Sequence, residues 1–333
     1  MERQATMRDV ARAAGVSAIT VSRVLNDYEF VRSETRNRVL AAVAETGYRP
    51  NLAARALVTR KSHVLGLLVA DAFGHGPTAA LWAIEDAAAE AGYAVTVVIL
   101  SGDDHEEILD GFRRLTLQGV DGIVMVAPQH EATSVDVLEV EGVPVVTLSA
   151  FASDRLQPIM LDSVAGSRAV VRHLAQLGHR TIAHLAGPAG WAASEARKAG
   201  WQAECAELGL PAGPAVHGDW SAATGHALAP ALIADERVTA IYAASDSMAQ
   251  GALLALHELG RDVPEDMSVV GFDDVPEAEY FIPPLTTVRQ DFETLGRRCI
   301  ASVVERINGR DAPAFAPLEP ELVVRSSTAG PPA

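Results

Sequence analysis

Along the first fifty positions apolar residues recur at helical spacing; further on they come in unbroken runs. Val10, Ala11 and Ala14 fall on one face of a helix over about residues 7 to 14, introduced by Thr6 and Asp9 in a T-x-x-D approximation to a capping box. Gly15 ends that helix, and Ser17 is placed to cap a second one. Its inward positions would be Val21, Val24 and Leu25, leaving Ala18, Ile19, Ser22 and Arg23 more exposed. A third helix, about 33 to 46, would turn Val39, Leu40 and Val43 inward and close at Gly47. Pro50 stops it. The next segment, LAARAL, is an alanine-rich turn and a half, too short to hold a helix alone, so it can order only against a partner.

From His63 the pattern changes. VLGLLVA, AVTVVIL, GIVMVAP, VPVVTLS, TIAHLAG, AIYAAS and SVVGFDD are continuous apolar runs separated by amphipathic stretches such as TAALWAIEDAAAEAG. Runs of this kind with helices between them predict parallel sheets covered on both faces. About ten such strands exceed one comfortable sheet, so the body is expected to divide near Asp162 into two similar doubly wound halves. In such folds ligands sit beyond the carboxyl ends of strands, here between the halves.

Charge adds a division of labour. Of a formal net charge of -16 over 333 residues, residues 1 to 62 carry eleven Lys and Arg against six Asp and Glu, and the remainder carries 16 against 37. A positive head on a negative body suits a protein of which one part approaches a polyanion. No run of eighteen apolar residues is present, and the charges of MERQATMRDVARAAG interrupt any secretory leader, so a cytoplasmic protein is expected. Cys205 and Cys299 show neither CxxC nor Cys/His spacing, which gives no reason to expect a disulfide, a metal site or a cofactor.

A helix, a glycine turn and a second helix make a helix-turn-helix, although a generic helical hairpin has the same outline. The residue types early in the second helix favour DNA. Arg23 suits a bidentate pair with guanine and Ala18 and Ile19 suit thymine methyls, while Thr20, Ser22 and Asn26 have short polar groups that hold phosphates.

Taken together, TMRDVARAAGVSAITVSRVLN, ETRNRVLAAVAETGYRPN and LAARAL closely resemble the DNA-binding head and hinge of the lactose and galactose repressor family of bacterial transcription regulators, and the likeness runs the length of the chain. The resemblance implies residues 1–49 as the helix-turn-helix domain and 50–62 as the hinge. It implies 63–162 with 292–318 as one effector subdomain and 163–291 with 319–330 as the other, similar to periplasmic sugar-binding proteins. Leu57 would be the hinge leucine that wedges into the minor groove, with Thr6, Ser17, Asn51 and Ala54 among the further DNA contacts. Family members tend to carry a serine where this chain has Arg32, so the cap of the third helix must shift to Ser33 or be lost, and Glu29 adds a negative charge nearby.

For the effector, Arg197 in SEARKAGW matches the arginine of the family pattern S-x-x-R-x-x-G-F/W, where it grips hydroxyls; its fork suits two neighbouring oxygens. Asp273 in VVGFDD matches an aspartate that accepts hydrogen bonds from hydroxyls, and Asp274 beside it would fix the loop. Trp220 in GDWSAATG would lie against a sugar ring or sit in the core. Ser245 stands where sugar-binding relatives often have asparagine, a shorter reach. Phe73, His75 and Phe292 would line the first-half wall, His75 equally well as a loop histidine. HGP (75–77), FIPPLTTVRQDF (281–292) and DWSA bring the chain nearer to the family's galactoside-responsive members than to its purine-responsive ones.

The expectation is therefore an effector-controlled repressor, released from a near-palindromic operator by a sugar or galactoside-like inducer, acting as a homodimer through its α/β bodies. Corepression by a purine-type ligand is the alternative within the family, and a sugar-transport receptor the alternative outside it; the latter has no use for residues 1 to 62. An enzyme is disfavoured because GxxxxGK[ST], GxSxG and HExxH are missing from the sequence. The family's tetrameric member carries a leucine-repeat tail, and RSSTAGPPA shows no heptads.

Overall fold

A computed structural model of the chain describes residues 5–25, 28, 30–48, 61–70, 74–100, 105–126, 142–148, 159–211 and 213–332. It divides into two compact units, Met1–Ser62 and His63–Ala333.

The first unit is built by caps. Helix α1 spans Met7–Ala14, and the Asp9 carboxylate accepts both the backbone N–H of Thr6, at 2.9 Å, and its hydroxyl, at 2.6 Å. Gly15 ends α1 at φ +63°, a left-handed conformation that costs a glycine nothing, and Val16 N–H then bonds back to Ala11 at 3.0 Å. Helix α2, Ala18–Leu25, starts where Ser17 Oγ accepts the Thr20 N–H at 3.1 Å. Helix α3 runs Ser33–Thr46 with Arg32 in the capping position and no side-chain cap, so the departure from the family serine loses the cap and does not shift it. Val10, Ala11, Ala14, Val21, Val24, Val39 and Ala42 form the core. Leu40 does not join them: one helical step of 100° past the fully buried Val39 carries it to the exposed side, and Ala42 takes the inward place expected for it.

In the second unit, strands β1 (Val64–Ala70), β2 (Ala94–Leu100), β3 (Gly122–Val126) and β4 (Val145–Leu148) form an all-parallel sheet of order β2-β1-β3-β4. Leu65, Leu67 and Val69 point to one face and Leu68 to the other, the two-residue period of a strand. The first face packs on α4 (His75–Glu90) and on a later helix, α10 (Phe292–Ile307), through Ile84, Leu295 and Cys299; the second packs on α5 (His105–Leu117) through Phe112 and Leu115.

The second sheet repeats the plan. Strands β5 (Thr181–Ala186), β6 (Ala215–His217), β7 (Val238–Ala243) and β8 (Ser268–Val270) lie parallel in the order β6-β5-β7-β8. Helices α6 (Ser163–Leu177) and α7 (Ala192–Glu207) cover one face through Val170, Leu174 and Trp201; α8 (Ala222–Leu232) and α9 (Asp246–Glu258) cover the other. Strands β3, β4, β5 and β8 are buried at every position, which is why their apolar runs in the sequence were uninterrupted; at the edge of the first sheet Val97 and Ile99 of β2 stay exposed.

A short antiparallel pair, β9 (Thr287–Arg289) with β10 (Glu321–Val323), completes the unit. The chain passes between the two sheet layers near Leu161, near Gln290 and near Leu318. The first and third passages are zipped together: Asp162 N–H donates to Leu318 and Leu318 N–H to Met160, both at 2.8 Å. Past β10 the fully buried Ser327 donates to Val269 at 2.6 Å and accepts the Thr286 N–H at 2.8 Å, which holds the tail beside β8. Among the described residues no helix is long and apolar enough to cross a membrane.

Candidate DNA-reading face and effector site

On the first unit Ile19 and Arg23 are exposed on α2, with Ala18, Thr20 and Ser22 half-buried beside them. Exposure of an isoleucine at that position has no folding benefit and suits contact with another surface. The Arg23 guanidinium carbon lies 5.3 Å from the centre of the Tyr28 ring, a cation–π contact that steadies its stem. Ser17 and Thr20 hydroxyls lie 2.9 Å apart, so one donates to the other and one O–H is left for an acceptor such as phosphate. The Thr6 hydroxyl already donates to Asp9, so its place in this structure is the cap of α1 and its proton is not offered to a phosphate. Asn26, Asn51, Ala54, Leu57 and Glu29 lie outside the described residues, as does Phe73 of the expected effector wall.

The second unit brings several of the remaining expected residues together at the carboxyl ends of β5, β7 and β8. Arg197, on the inward face of α7, is only 6% exposed. It donates to the Ala244 carbonyl at the end of β7, and its Nη2 donates to Asp273 Oδ1 at 3.3 Å. Its guanidinium carbon sits 3.8 Å from the centre of the Phe272 ring and 5.4 Å from that of Trp220. Its buried Nε has no protein partner, a donor left over within the cluster.

Asp273, 7% exposed, adopts φ +121°, rare for a residue with a side chain, and also accepts Gln290 Nε2 at 2.8 Å on the same Oδ1. Burial pushes its carboxyl up to about 6 against the pull of Arg197 and Gln290. Asp246, the first residue of α9, accepts Thr287 Oγ1 at 2.5 Å and Val275 N–H at 2.8 Å; burial, then the neighbouring Asp273, push it up to about 7. Asp274, at φ +54°, is held by Arg289 at 2.7 Å and Arg325 at 2.6 Å, so it fastens the loop that presents Asp273.

Trp220 is half-buried at φ +71°, its indole laid over the backbone of Gly187. A Cβ at Gly187 would come within 2.3 Å of that ring, so only glycine admits this placement. Trp191 stands beside it, ring centres 6.0 Å apart. Ser245 caps α9 by accepting the Met248 N–H at 3.2 Å and is buried; its hydroxyl therefore supports the helix that carries Asp246. His75 opens α4 and meets Phe292, the first residue of α10, edge to face at 6.0 Å. Burial lowers the His75 pKa, and the carboxylates of Asp246, Glu277 and Asp274 oppose the shift, which places the first-sheet wall within electrostatic reach of the second.

Gln290, Phe272, Asp246 and Trp191 belong to this constellation and were not anticipated as site residues. Gln290 lies within the TTVRQDF run, and Phe272 and Asp246 are direct neighbours of the expected Asp273 and Ser245. Trp191 has no sequence signal beyond being an aromatic in a glycine-bearing turn. The arrangement offers a fork of donors, a carboxylate acceptor and flat apolar faces in one place, the set needed to hold a small ring bearing several hydroxyls.

A helix-turn-helix unit and a two-sheet unit with a buried polar cluster at its strand ends, in one chain, define the class of ligand-responsive transcription regulators. Residues 6–51 match the bacterial regulatory proteins of the lacI family, and residues 171–328 match a periplasmic binding protein-like domain. The chain is 34% identical to the lactose operon repressor of Escherichia coli strain K12, over 98% of this chain and 91% of that one. It is 30% identical to the HTH-type transcriptional repressor PurR of Haemophilus influenzae, over 97% of this chain and 98% of that one. Among solved structures, the lac repressor dimer bound to operator and the anti-inducer ONPF superposes with a TM-score of 0.86 at 33% identity, covering 98% of this chain and all of that one. The transcriptional regulator CelR in complex with cellobiose gives 0.71 at 31% identity, covering 97% and 100%. The chain belongs to the lacI family of bacterial regulatory proteins, and the curated relatives cited are repressors, not enzymes.

Proposed function

We propose that this protein is a homodimeric DNA-binding repressor whose hold on a near-palindromic operator is weakened by a saccharide bound at Arg197 and Asp273. The observation that carries the reading is the buried Arg197–Asp273–Gln290 array beside Trp220. A charge pair so far from water is expensive unless further hydrogen bonds complete it, and the spare Arg197 Nε and the untouched Oδ2 of Asp273 are a donor and an acceptor for vicinal hydroxyls. On the first unit, the exposed Ile19 and Arg23 of α2 support base contact, and the basic excess of residues 1–62 supports salt-dependent attraction to the duplex. Exposed apolar side chains at Tyr280 and at Ile282, the latter 93% exposed, support pairing of two bodies, as in the relative solved as a dimer.

The test is selection of duplexes from random DNA by the full chain, followed by anisotropy titration of the enriched duplex with and without saccharides. One duplex class should be enriched, its affinity should fall steeply with salt, and a saccharide should lower it further. Arg23→Ala should weaken duplex binding, whereas Arg197→Ala should keep it and abolish the saccharide response. Failure to enrich any duplex, or a duplex affinity indifferent to every mono- and disaccharide tried, overturns the proposal.

A further inference from the structure

We infer that Trp191 and Trp220 together form a two-ring subsite, so that the effector is a disaccharide and not a single sugar. This rests on the reading of Arg197 and Asp273 as a saccharide site. Trp220 already stacks on the Arg197 guanidinium, and Trp191 continues the same row outward: Phe272, Arg197, Trp220, Trp191. The two indoles are inclined by 57° with centres 6.0 Å apart. A ring sandwiched between them would need parallel faces about 7 to 8 Å apart, twice a van der Waals contact. They therefore cannot share one ring. They offer two differently tilted faces side by side, the requirement of two sugar rings joined by a glycosidic bond, whose planes are likewise inclined.

Both faces are fixed before any ligand arrives. Trp220 is held by its left-handed backbone against Gly187. Trp191 is delivered by a short turn: its N–H meets Pro188 at 3.4 Å, its carbonyl accepts Glu195 N–H at 2.8 Å, and the Glu195 carboxylate accepts Gly190 N–H at 3.1 Å. Each indole is half-buried. Holding a large apolar side chain half in water has no folding benefit, and a preorganised wall lowers the entropy cost of binding. Arg197 and Asp273 would hold the hydroxyls of the first ring against Trp220, and the second ring would lie on Trp191.

Calorimetric titration of the full chain with glucose, galactose, cellobiose and lactose tests this, alongside Trp191→Ala and Trp191→Phe. The wild type should bind one disaccharide about tenfold more tightly than its component monosaccharide, and Trp191→Ala should collapse that ratio towards one. Trp191→Phe, which keeps an aromatic face, should retain most of it and shows that the alanine result is not a folding defect. A ratio that Trp191→Ala leaves unmoved overturns the inference, whether both affinities fall together or neither does. Absence of any saccharide binding by the wild type is a separate result, which overturns the saccharide reading of the site and the inference with it.

Discussion

Asp246→Asn isolates the electrostatic cost of the site. In the folded chain the Asp246 carboxyl is pushed up to about 7 from its ordinary 3.8, by burial and by Asp273. A carboxyl with a raised pKa binds its proton more tightly in the folded state than in the unfolded one. Its contribution is therefore fully favourable below the unfolded pKa and is lost as pH rises from about 4 through about 7. One pKa unit corresponds to about 1.4 kcal/mol, so full ionisation of Asp246 costs the fold about 4 kcal/mol, of which about 2.5 is incurred between pH 5 and pH 8. Asparagine keeps the shape and cannot ionise. It gives up one of the two acceptors used by Thr287 and Val275, a loss of about 1 to 3 kcal/mol that is the same at every pH. The wild type and Asp246→Asn should be compared by calorimetric melting at pH 5 and pH 8. Relative to the wild type, the variant should gain about 2.5 kcal/mol on going to pH 8, a relative rise in Tm of about 4 °C for a unit of this size. Taking the difference removes the titrating groups that do not interact with Asp246, including His184, which burial holds down at about 3 and which therefore destabilises the fold as pH falls below its ordinary 6.5. A difference between the two proteins that does not change with pH refutes the reasoning, because Asp246 would then be ionised in both states throughout.

Two further changes probe other parts of the molecule. Gly187→Ala puts a methyl 2.3 Å from the rigid Trp220 indole, and overpacking of this kind costs about 1 to 3 kcal/mol; saccharide affinity measured by tryptophan fluorescence should fall about tenfold, and an unchanged affinity would remove Trp220 from the site. Ile282→Asp alters a side chain that is 93% exposed, so the Tm of the isolated chain should hold while sedimentation equilibrium shows a dimer weakened at least about tenfold; an undisturbed dimer would place the pairing surface elsewhere.

The parts of the fold that local rules govern could be read in advance. Thr6, Gly15, Ser17 and Gly47 mark the boundaries of α1, α2 and α3 because a capping side chain or a left-handed residue acts within a few positions. The long buried strands announced themselves as β-branched runs. Strands β6 and β9 did not, since AVH and TVR are short and carry no continuous apolar run, unlike the equally short β8 within SVVGF. Leu40 misled for a related reason: Val39, Leu40 and Val43 share an apolar pattern that fits two faces of a helix, and the packing of α1 on α3 chose between them. In the pocket, Arg197 and Asp273 were readable from their motifs. Gln290 and Trp191 were not, because they arrive from segments almost a hundred residues apart and only the assembled second sheet brings them to one place. The raised pKa of Asp246 could not be read either, as it arises from burial and from a neighbour 27 positions away.

The three passages between the sheet layers also set how this body can deform. Because the backbone near Asp162 is laced to the backbone near Leu318, two of the three behave as one flat strap, which resists sliding and yields to bending across its width. The halves are thereby left with something close to a single axis of rotation, and whatever an effector bound between them gained by drawing them together would be channelled into that one movement. Severing any one passage would still leave the layers joined by the other two.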